Sequence, residues 1–417
     1  MARAGRLVRL TAAIIISVVA LAGAVRLVGP AETTSSVRRQ QTFLRAALED
    51  GAAARAQQQF PEGYFFSYAL YGLTAVNLGD RDDARWALTH LESPIAREPF
   101  DAGLTPQYGV FYRGWLNYLR GAILSLQPPG ALSDLSPQPS GAPSDPDSAA
   151  LAAAFDRDAA EIAAAFDASP VPFLPAYPGQ AWPVDSTVAI ASLALHDKLL
   201  PPRYDATITR WLSGVRVNLD PATGLMPHTA DVDTGAPTAG ARGSSQSIIQ
   251  RFLPEIDTAF ARDQYLTFQT KFLSRPLGLG PAIREYPHGT SGPADVDSGP
   301  LPLGISFSAS VVTLGAARIQ GDRSLAAGLA NFGEVLGVPV DTLHTRRYAF
   351  GLLPIGDAFL AWSKSSHPLV AASPPAQPAP RAALSWWWRV PLLLVFLLVA
   401  VAPWVPAVVR RRRRPAS

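Results

Sequence analysis

Two apolar runs bracket this chain, and arginines flank both. Between Arg9 and Arg26 lie 16 residues without a charge, LTAAIIISVVALAGAV. A helix of that length rises about 24 Å, slightly short of a ~30 Å hydrocarbon core. Snorkelling Arg side chains make up the difference. The same run also fits a cleaved signal peptide, with a basic start and small residues at Ala20, Ala22 and Ala24. Val390 to Val409 is a second uncharged run of 20 residues, enough to span the core. Trp386, Trp387 and Trp388 precede it as an interfacial belt, and Arg410 to Arg414 follow it. Pro391, Pro403 and Pro406 are kinks that membrane helices tolerate. By the positive-inside rule both termini are cytoplasmic, and the middle of the chain lies outside the membrane.

The expected organisation follows from these ends. Residues 1–9 form a cytoplasmic tail and 10–27 an anchor or signal. Residues 31–365 form the extracytoplasmic domain, 366–385 a Pro-rich linker, 386–409 a transmembrane helix and 410–417 a basic tail. Charge is segregated in the same way. Setting aside the ten Arg at the two ends leaves 26 Lys and Arg against 33 Asp and Glu. The basic isoelectric point therefore belongs to the termini, and nucleic acid is not an expected partner. The lipid bilayer is. With no Cys, the chain has no disulfide scaffold, thiolate metal site or cysteine nucleophile.

The middle reads as all-α. Tyr64, Tyr68, Tyr71 and Ala75 recur at helical spacing, as do Val188, Ala191, Leu195 and Leu199. The pattern predicts helices near 38–57, 62–79, 82–92, 107–126, 149–166, 184–199, 204–217, 243–252, 258–273, 300–320, 323–335 and 350–364. No long alternating β pattern appears. Residues 127–148 read as a Pro-rich surface insertion between helices. Twelve helices in six hairpins can close into an α/α toroid with a ligand site at one mouth.

The stretch PGQAWPVDSTVAIASLAL (178–195) resembles linalool dehydratase-isomerase. The likeness continues through Tyr204 to Thr207, Arg210-Trp211-Leu212 and Asp220-Pro221. Earlier segments carry it at Tyr68 to Leu73 and Tyr112 to Asn117, and later ones at Arg284-Glu285, Asp295 to Ser310 and Arg347-Tyr348. The segments keep their order over roughly residues 60 to 363. The resemblance implies an (α/α)6 toroid that isomerises and dehydrates a small terpene alcohol without metal or organic cofactor. The family enzyme uses two cysteines and a histidine. Asp185 falls where one catalytic Cys would stand, Ala176 at the other, and Trp115 at the His. The family enzyme is an oligomer of barrels with sites near subunit contacts, which implies a homo-oligomer within the geometry that a tether allows.

Asp185 follows Trp182-Pro183-Val184 at an expected helix start. Such a carboxylate either caps the helix or serves as a general acid or base at the mouth. Arg284 to Gly289 and Asp295 to Pro300 form a loop dense in ionisable groups. Glu285 has no evident capping role, whereas Asp297 and Ser298 are good caps. The preferred acid–base pair is Asp185 with Glu285, and Asp297 is the reserve. Tyr68, Trp115 and Trp182 are candidate substrate-binding aromatics, against the alternative of helix packing. His288 is the one His beside acidic residues, and a loop His is more often a surface residue. The echo of Ala230 to Gly235 in Ala294 to Gly299 lacks further regularly spaced ligands, and no metal or cofactor is expected. The expected ligand is a small molecule, either isoprenoid-like or a glycan. A carboxylate lyase or isomerase, a glycan hydrolase and a non-catalytic envelope binding module are the open functions.

Overall fold

The computed structural model describes residues 2–30, 33–127, 146–369 and 385–406, and the chain in them is mostly helical. A long first helix, α1 (Ala2–Val28), leads into α2 (Thr34–Glu49) and α3 (Ala52–Gln57). Then come α4 (Gly63–Asn77), α5 (Arg81–Leu91), the single turn α6 (Pro94–Arg97), α7 (Gly109–Leu124) and α8 (Pro146–Ala168). The series continues with α9 (Pro183–Leu199), α10 (Asp205–Val217), α11 (Gly243–Phe252) and α12 (Thr258–Phe272). It ends with α13 (Phe307–Ile319), α14 (Arg323–Leu336), α15 (Pro354–Ser365) and α16 (Val390–Val401).

Two kinds of helix alternate. α4, α7 and α9 are buried along nearly their whole length. α5 buries only a stripe at Ala84, Ala87, Leu88 and Leu91, the spacing of one helix face. Among the buried set, contacts run α4–α7, α7–α9, α9–α11, α11–α13, α13–α15 and α15 back to α4. The others pack outside them: α2 on α15 and α4, α5 on α4, α8 on α7, α10 on α9, α12 on α11 and α14 on α13. The packing of α7 on α9 depends on small residues. A Cβ added at Gly114 would stand 2.9 Å from that of Ala189.

Short turns link a buried helix to the outer helix that follows. Gly79 and Gly321 take φ of 75° and 74°, and the next residue caps the new helix. Asp80 accepts from Asp83 N at 3.1 Å, and Asp322 from Leu325 N at 3.0 Å. The return connections are longer and gather at the opposite end. They carry three small antiparallel sheets: β1 (Thr229–Ala230) with β2 (Pro237–Ala239), then β3 (Leu273–Ser274), β4 (Ala282–Arg284) and β5 (Ile305–Ser306), then β6 (Val340–Asp341) with β7 (Arg346–Arg347). Leu277, Leu303 and Phe350 sit there at φ of 55°, 56° and 60°, each followed by a glycine of positive φ. That conformation costs a non-glycine residue of order 1–2 kcal/mol.

Several expected boundaries shift. The helix expected over 38–57 breaks at Gly51, whose φ is 82°, into α2 and α3. The helix expected over 300–320 begins only at Phe307, because 305–306 pair as a strand. The helix expected over 350–364 begins at Pro354, since Phe350 and Gly351 hold left-handed backbone. Residues 128–145 of the expected insertion, 370–384 of the linker and the whole basic tail lie outside the described residues.

Gly5–Val28 and Trp386–Trp404 are long and apolar enough to cross a membrane, and little of either is buried. The first is longer than its uncharged run, because the helix continues through Arg6 and Arg9. The two pack side by side. Gly23 lets the Phe396 ring approach, and Ser17 Oγ donates to the Ala400 carbonyl at 2.7 Å. A polar joint fixes the pair to α14. Asn331 Nδ2 donates to the carbonyls of Arg26 (3.1 Å) and Gly29 (2.8 Å). Arg389 donates to the Leu27 carbonyl (3.1 Å) and Asn331 Oδ1 (2.9 Å), and Phe332 meets Trp388 edge-on.

Candidate functional site

Pro183 opens α9 with its fixed φ, which places Asp185 in the first turn. The sequence offers a capping role for this carboxylate, and the structure does not use it. The N-cap position, Trp182, receives no side-chain bond, and the Asp185 side chain makes no hydrogen bond among the described residues. It is only 7% exposed. Burial, then the charges of Glu62 and Asp297, hold its pKa well above the usual carboxylate value.

Those neighbours arrive on other connections. Glu62 precedes α4 and accepts a hydrogen bond from the Tyr177 hydroxyl. Tyr177 precedes α9 and packs edge-on against Trp182, with ring centroids 6.0 Å apart. Asp297 sits in a turn in which Asp295 Oδ1 accepts from Ser298 N at 2.9 Å and Gly299 N donates to the Asp295 carbonyl at 3.0 Å. The repeated sequence at Ala230 to Gly235 folds the same way, with Gly235 N donating to the Asp231 carbonyl at 2.9 Å. The echo is therefore a repeated turn. Asp297 has exposed surface, but protein surrounds it on most sides. Burial, Asp295 and Glu62 push its pKa up to about 6.

Glu285 has a different environment. It is fully buried and accepts from Arg242 Nε (2.8 Å), Ser244 Oγ (2.7 Å) and Ser244 N (3.1 Å) at the start of α11. Burial still lifts its pKa, against the pull of Ser244 and Arg242. Arg242 also binds Asp295 at 2.5 Å, so it clamps two connections together. The expected pairing of Asp185 with Glu285 is corrected accordingly. The carboxylates acting on Asp185 are Glu62 and Asp297, while Glu285 is committed to Arg242 and the helix terminus.

His228 also belongs to this neighbourhood. Its Nδ1 lies 2.6 Å from Ser245 Oγ. Burial, then Arg242, lowers its pKa to about 4, which leaves the ring neutral at pH 7. Nothing in the sequence around His228 marks it, and Glu62 and Tyr177 were equally inconspicuous.

The aromatic candidates separate. Trp182 stands beside Tyr177. Trp115 is buried against Phe66, Phe252 and Trp362, and its Nε1 has no hydrogen-bond partner among the described residues. Tyr68 lies elsewhere, stacked on His90 at 4.3 Å between α4 and α5. His288 is a loop pin, its Nε2 2.8 Å from the Leu273 carbonyl. Ala176 is buried under the close approach of Gly109. A surface cleft lined by Ala54, Gln57, Pro94, Ile95 and Glu98 is separate from the carboxylates.

The arrangement brings a buried carboxyl of raised pKa, Asp185, beside the carboxyl groups of Asp297 and Glu62. No family model matches this chain, and no curated protein does.

Proposed function

We propose that the twelve paired helices form an (α/α)6 barrel held at the outer face of a membrane by α1 and α16, and that it is a cofactor-free acid–base enzyme of the lyase or isomerase type. The cycle of contacts from α4 through α15 and back to α4 supports the barrel. The resemblance to linalool dehydratase-isomerase supports the reaction class. The observation that carries the reading is Asp185, a buried carboxyl without a hydrogen-bond partner among the described residues, beside Asp297 and Glu62.

For an alcohol substrate the chemistry is direct. Neutral Asp185 donates its proton to the hydroxyl oxygen, the C–O bond breaks and water leaves. Ionised Asp297 takes the proton from the adjacent carbon, and that C–H electron pair becomes the new double bond. Asp297 then returns a proton to Asp185 through solvent, which closes the cycle. Glu62, fixed by Tyr177, keeps the Asp185 proton in place through its charge. Trp182 offers an apolar wall beside the carboxyls.

The test is turnover by the full-length protein in detergent micelles, over a panel of isoprenoid alcohols and oligosaccharides. Asp185→Asn is expected to lower kcat by about 10²–10⁴ with the fold intact. Unchanged turnover removes Asp185 from the mechanism. Conversion of the glycans alone moves the protein to glycoside hydrolysis. Binding without conversion by the wild type leaves a binding module.

A further inference from the structure

Exposed apolar side chains are unevenly distributed over the folded domain. Among the described residues between 34 and 272, Ile95 and Val217 are the exposed large hydrophobics. Between 273 and 353 there are ten. They lie on the α12–α13 and α14–α15 connections or at the helix ends beside them. Leu277 is 83% exposed, Leu303 65%, Phe350 66% and Leu352 81%. Three of these four, Leu277, Leu303 and Phe350, occupy the repeated left-handed turn at its tip, and Leu352 follows one. An ordinary surface loop places polar residues or glycine there. Sparse exposed hydrophobics need no explanation, but a cluster confined to one edge does.

The membrane pair meets the domain at that edge. α14 runs toward the end where the long connections gather. Asn331, in its second half, holds the carbonyls of Arg26 and Gly29, while the Arg26 side chain donates to the Pro339 carbonyl beyond its C-terminus at 3.2 Å. α1 therefore runs antiparallel to α14, and its earlier residues project past that end. α16 leaves in the same direction, with Trp388 at Phe332, Phe396 at Gly23 and Ala400 at Ser17. Leu279, two residues from the Leu277 tip, packs in the cluster of Leu27, Phe332 and Trp388 that joins anchor to domain. The exposed Trp386 and Trp387 sit at the same level, as interfacial tryptophans do. The Glu285 backbone N–H donates to the Gly304 carbonyl at 3.1 Å, which ties the Leu303 tip to the carboxylate site.

We propose that the end of the domain carrying Asp185 and Asp297 faces the bilayer, with the tips at Leu277, Leu303 and Phe350 set into the lipid interface, and that the substrate is an amphiphile reaching the site from the membrane. The occupant of the apolar edge is lipid, because the two spans that enter the membrane leave from that edge. Its depth is that of other interfacial apolar faces, about 5–10 Å into the headgroup and acyl boundary. The substrate clause rests on the acid–base reading above; the orientation does not.

The chain has no cysteine, so single-cysteine labels are unambiguous. The full-length protein is reconstituted into phosphatidylcholine–phosphatidylglycerol vesicles with Leu277→Cys, Leu303→Cys or Phe350→Cys carrying an environment-sensitive fluorophore. Ser324→Cys, at the start of α14, is the reference at the far end of the domain, and Val217→Cys, at the end of α10, reports whether lipid contact is confined to the tips. The expected result is severalfold stronger quenching by headgroup- and acyl-spin-labelled lipid at 277, 303 and 350 than at 324 and 217, with blue-shifted emission at the tips. Equal, water-like quenching at all five positions overturns the orientation. Because this readout involves no turnover, its failure is separate from a failure of Asp185→Asn to abolish activity. If the tips lie in lipid, a bilayer-dissolved alcohol is expected to be converted with a lower KM by the wild type than by Leu277→Asp/Leu303→Asp, with kcat unchanged. Equal KM values overturn the membrane route for the substrate.

Discussion

The domain contains two carboxyl clusters, each with a buried member, that behave in opposite ways. Glu334 on α14 accepts from Lys364 Nζ at 2.5 Å and from the Tyr348 hydroxyl at 2.5 Å, and it also pairs with Arg346. Lys364 and Arg346 hold its pKa below the usual value despite burial. Asp185 is buried as well, and burial first, then the charges of Glu62 and Asp297, raises its pKa. Burial alone therefore does not make a reactive acid. Burial pushes both carboxyls up, and only at Glu334 do neighbouring cations outweigh it. Glu285 lies between the extremes, with one cation and a helix terminus to hold it.

The comparison yields measurements of decreasing size. The largest is Asp185→Asn, expected to remove about 10²–10⁴ in turnover. Asp185 makes no hydrogen bond among the described residues that the change could break, so Tm at pH 8 should hold. A large fall in Tm there would make Asp185 structural, like Glu334. Next is Lys364→Met, which leaves Glu334 buried with one fewer cation. Breaking such a pair costs about 3–5 kcal/mol, to be read from denaturant unfolding in micelles. A loss under about 1 kcal/mol, the range of exposed pairs, would erase the contrast.

The third measurement is pH dependence, and the two clusters differ in sign. A carboxyl raised in the fold contributes stability that is complete below its ordinary pKa and lost as pH rises through the folded value. For Asp297 that window runs from 3.8 to about 6. Glu334, lowered in the fold, contributes stability above 4.5 that is lost as pH falls through its depressed value. Asp297→Asn should flatten the stability loss between pH 4 and 6, and Glu334→Gln should flatten the loss below pH 4.5. In turnover, ionised Asp297 as base gives an acidic limb near pH 6 in kcat/KM, and a limb unmoved by a conservative Asp297→Glu exchange would reassign it. The smallest effect is Asp80→Ala, the loss of one cap far from either cluster. It is expected to cost about 1 kcal/mol with kcat unchanged.

Much of the helical layer was legible, because alternating stripes and Gly-Asp joints mark helix faces and ends directly. Asp185 and Asp297 stood out for a comparable reason, being ionisable residues beside Trp182-Pro183-Val184 and in a loop rich in charge. Glu62 and Tyr177 did not. They are 115 residues apart, and neither has an unusual local context. The commitment of Glu285 to Arg242 spans 43 residues and is equally invisible in the chain. Tyr68 was misplaced because α4 is buried nearly all round, so its period does not tell the face toward the site from the face toward α5. The turn at Leu303 with the strand after it, and the left-handed turn at Phe350, shortened two expected helices, since apolar residues there look like helix continuation.

By itself the sequence determined the helices, the two apolar spans and the stock of carboxyl groups. These follow from periodicity, length and residue type, which are local. The tertiary structure decided which carboxyls share a site, which of them meet a cation, and which edge of the domain the spans leave from. Those are questions of distance between remote segments, and electrostatic fields and apolar contacts depend on distance in space rather than along the chain.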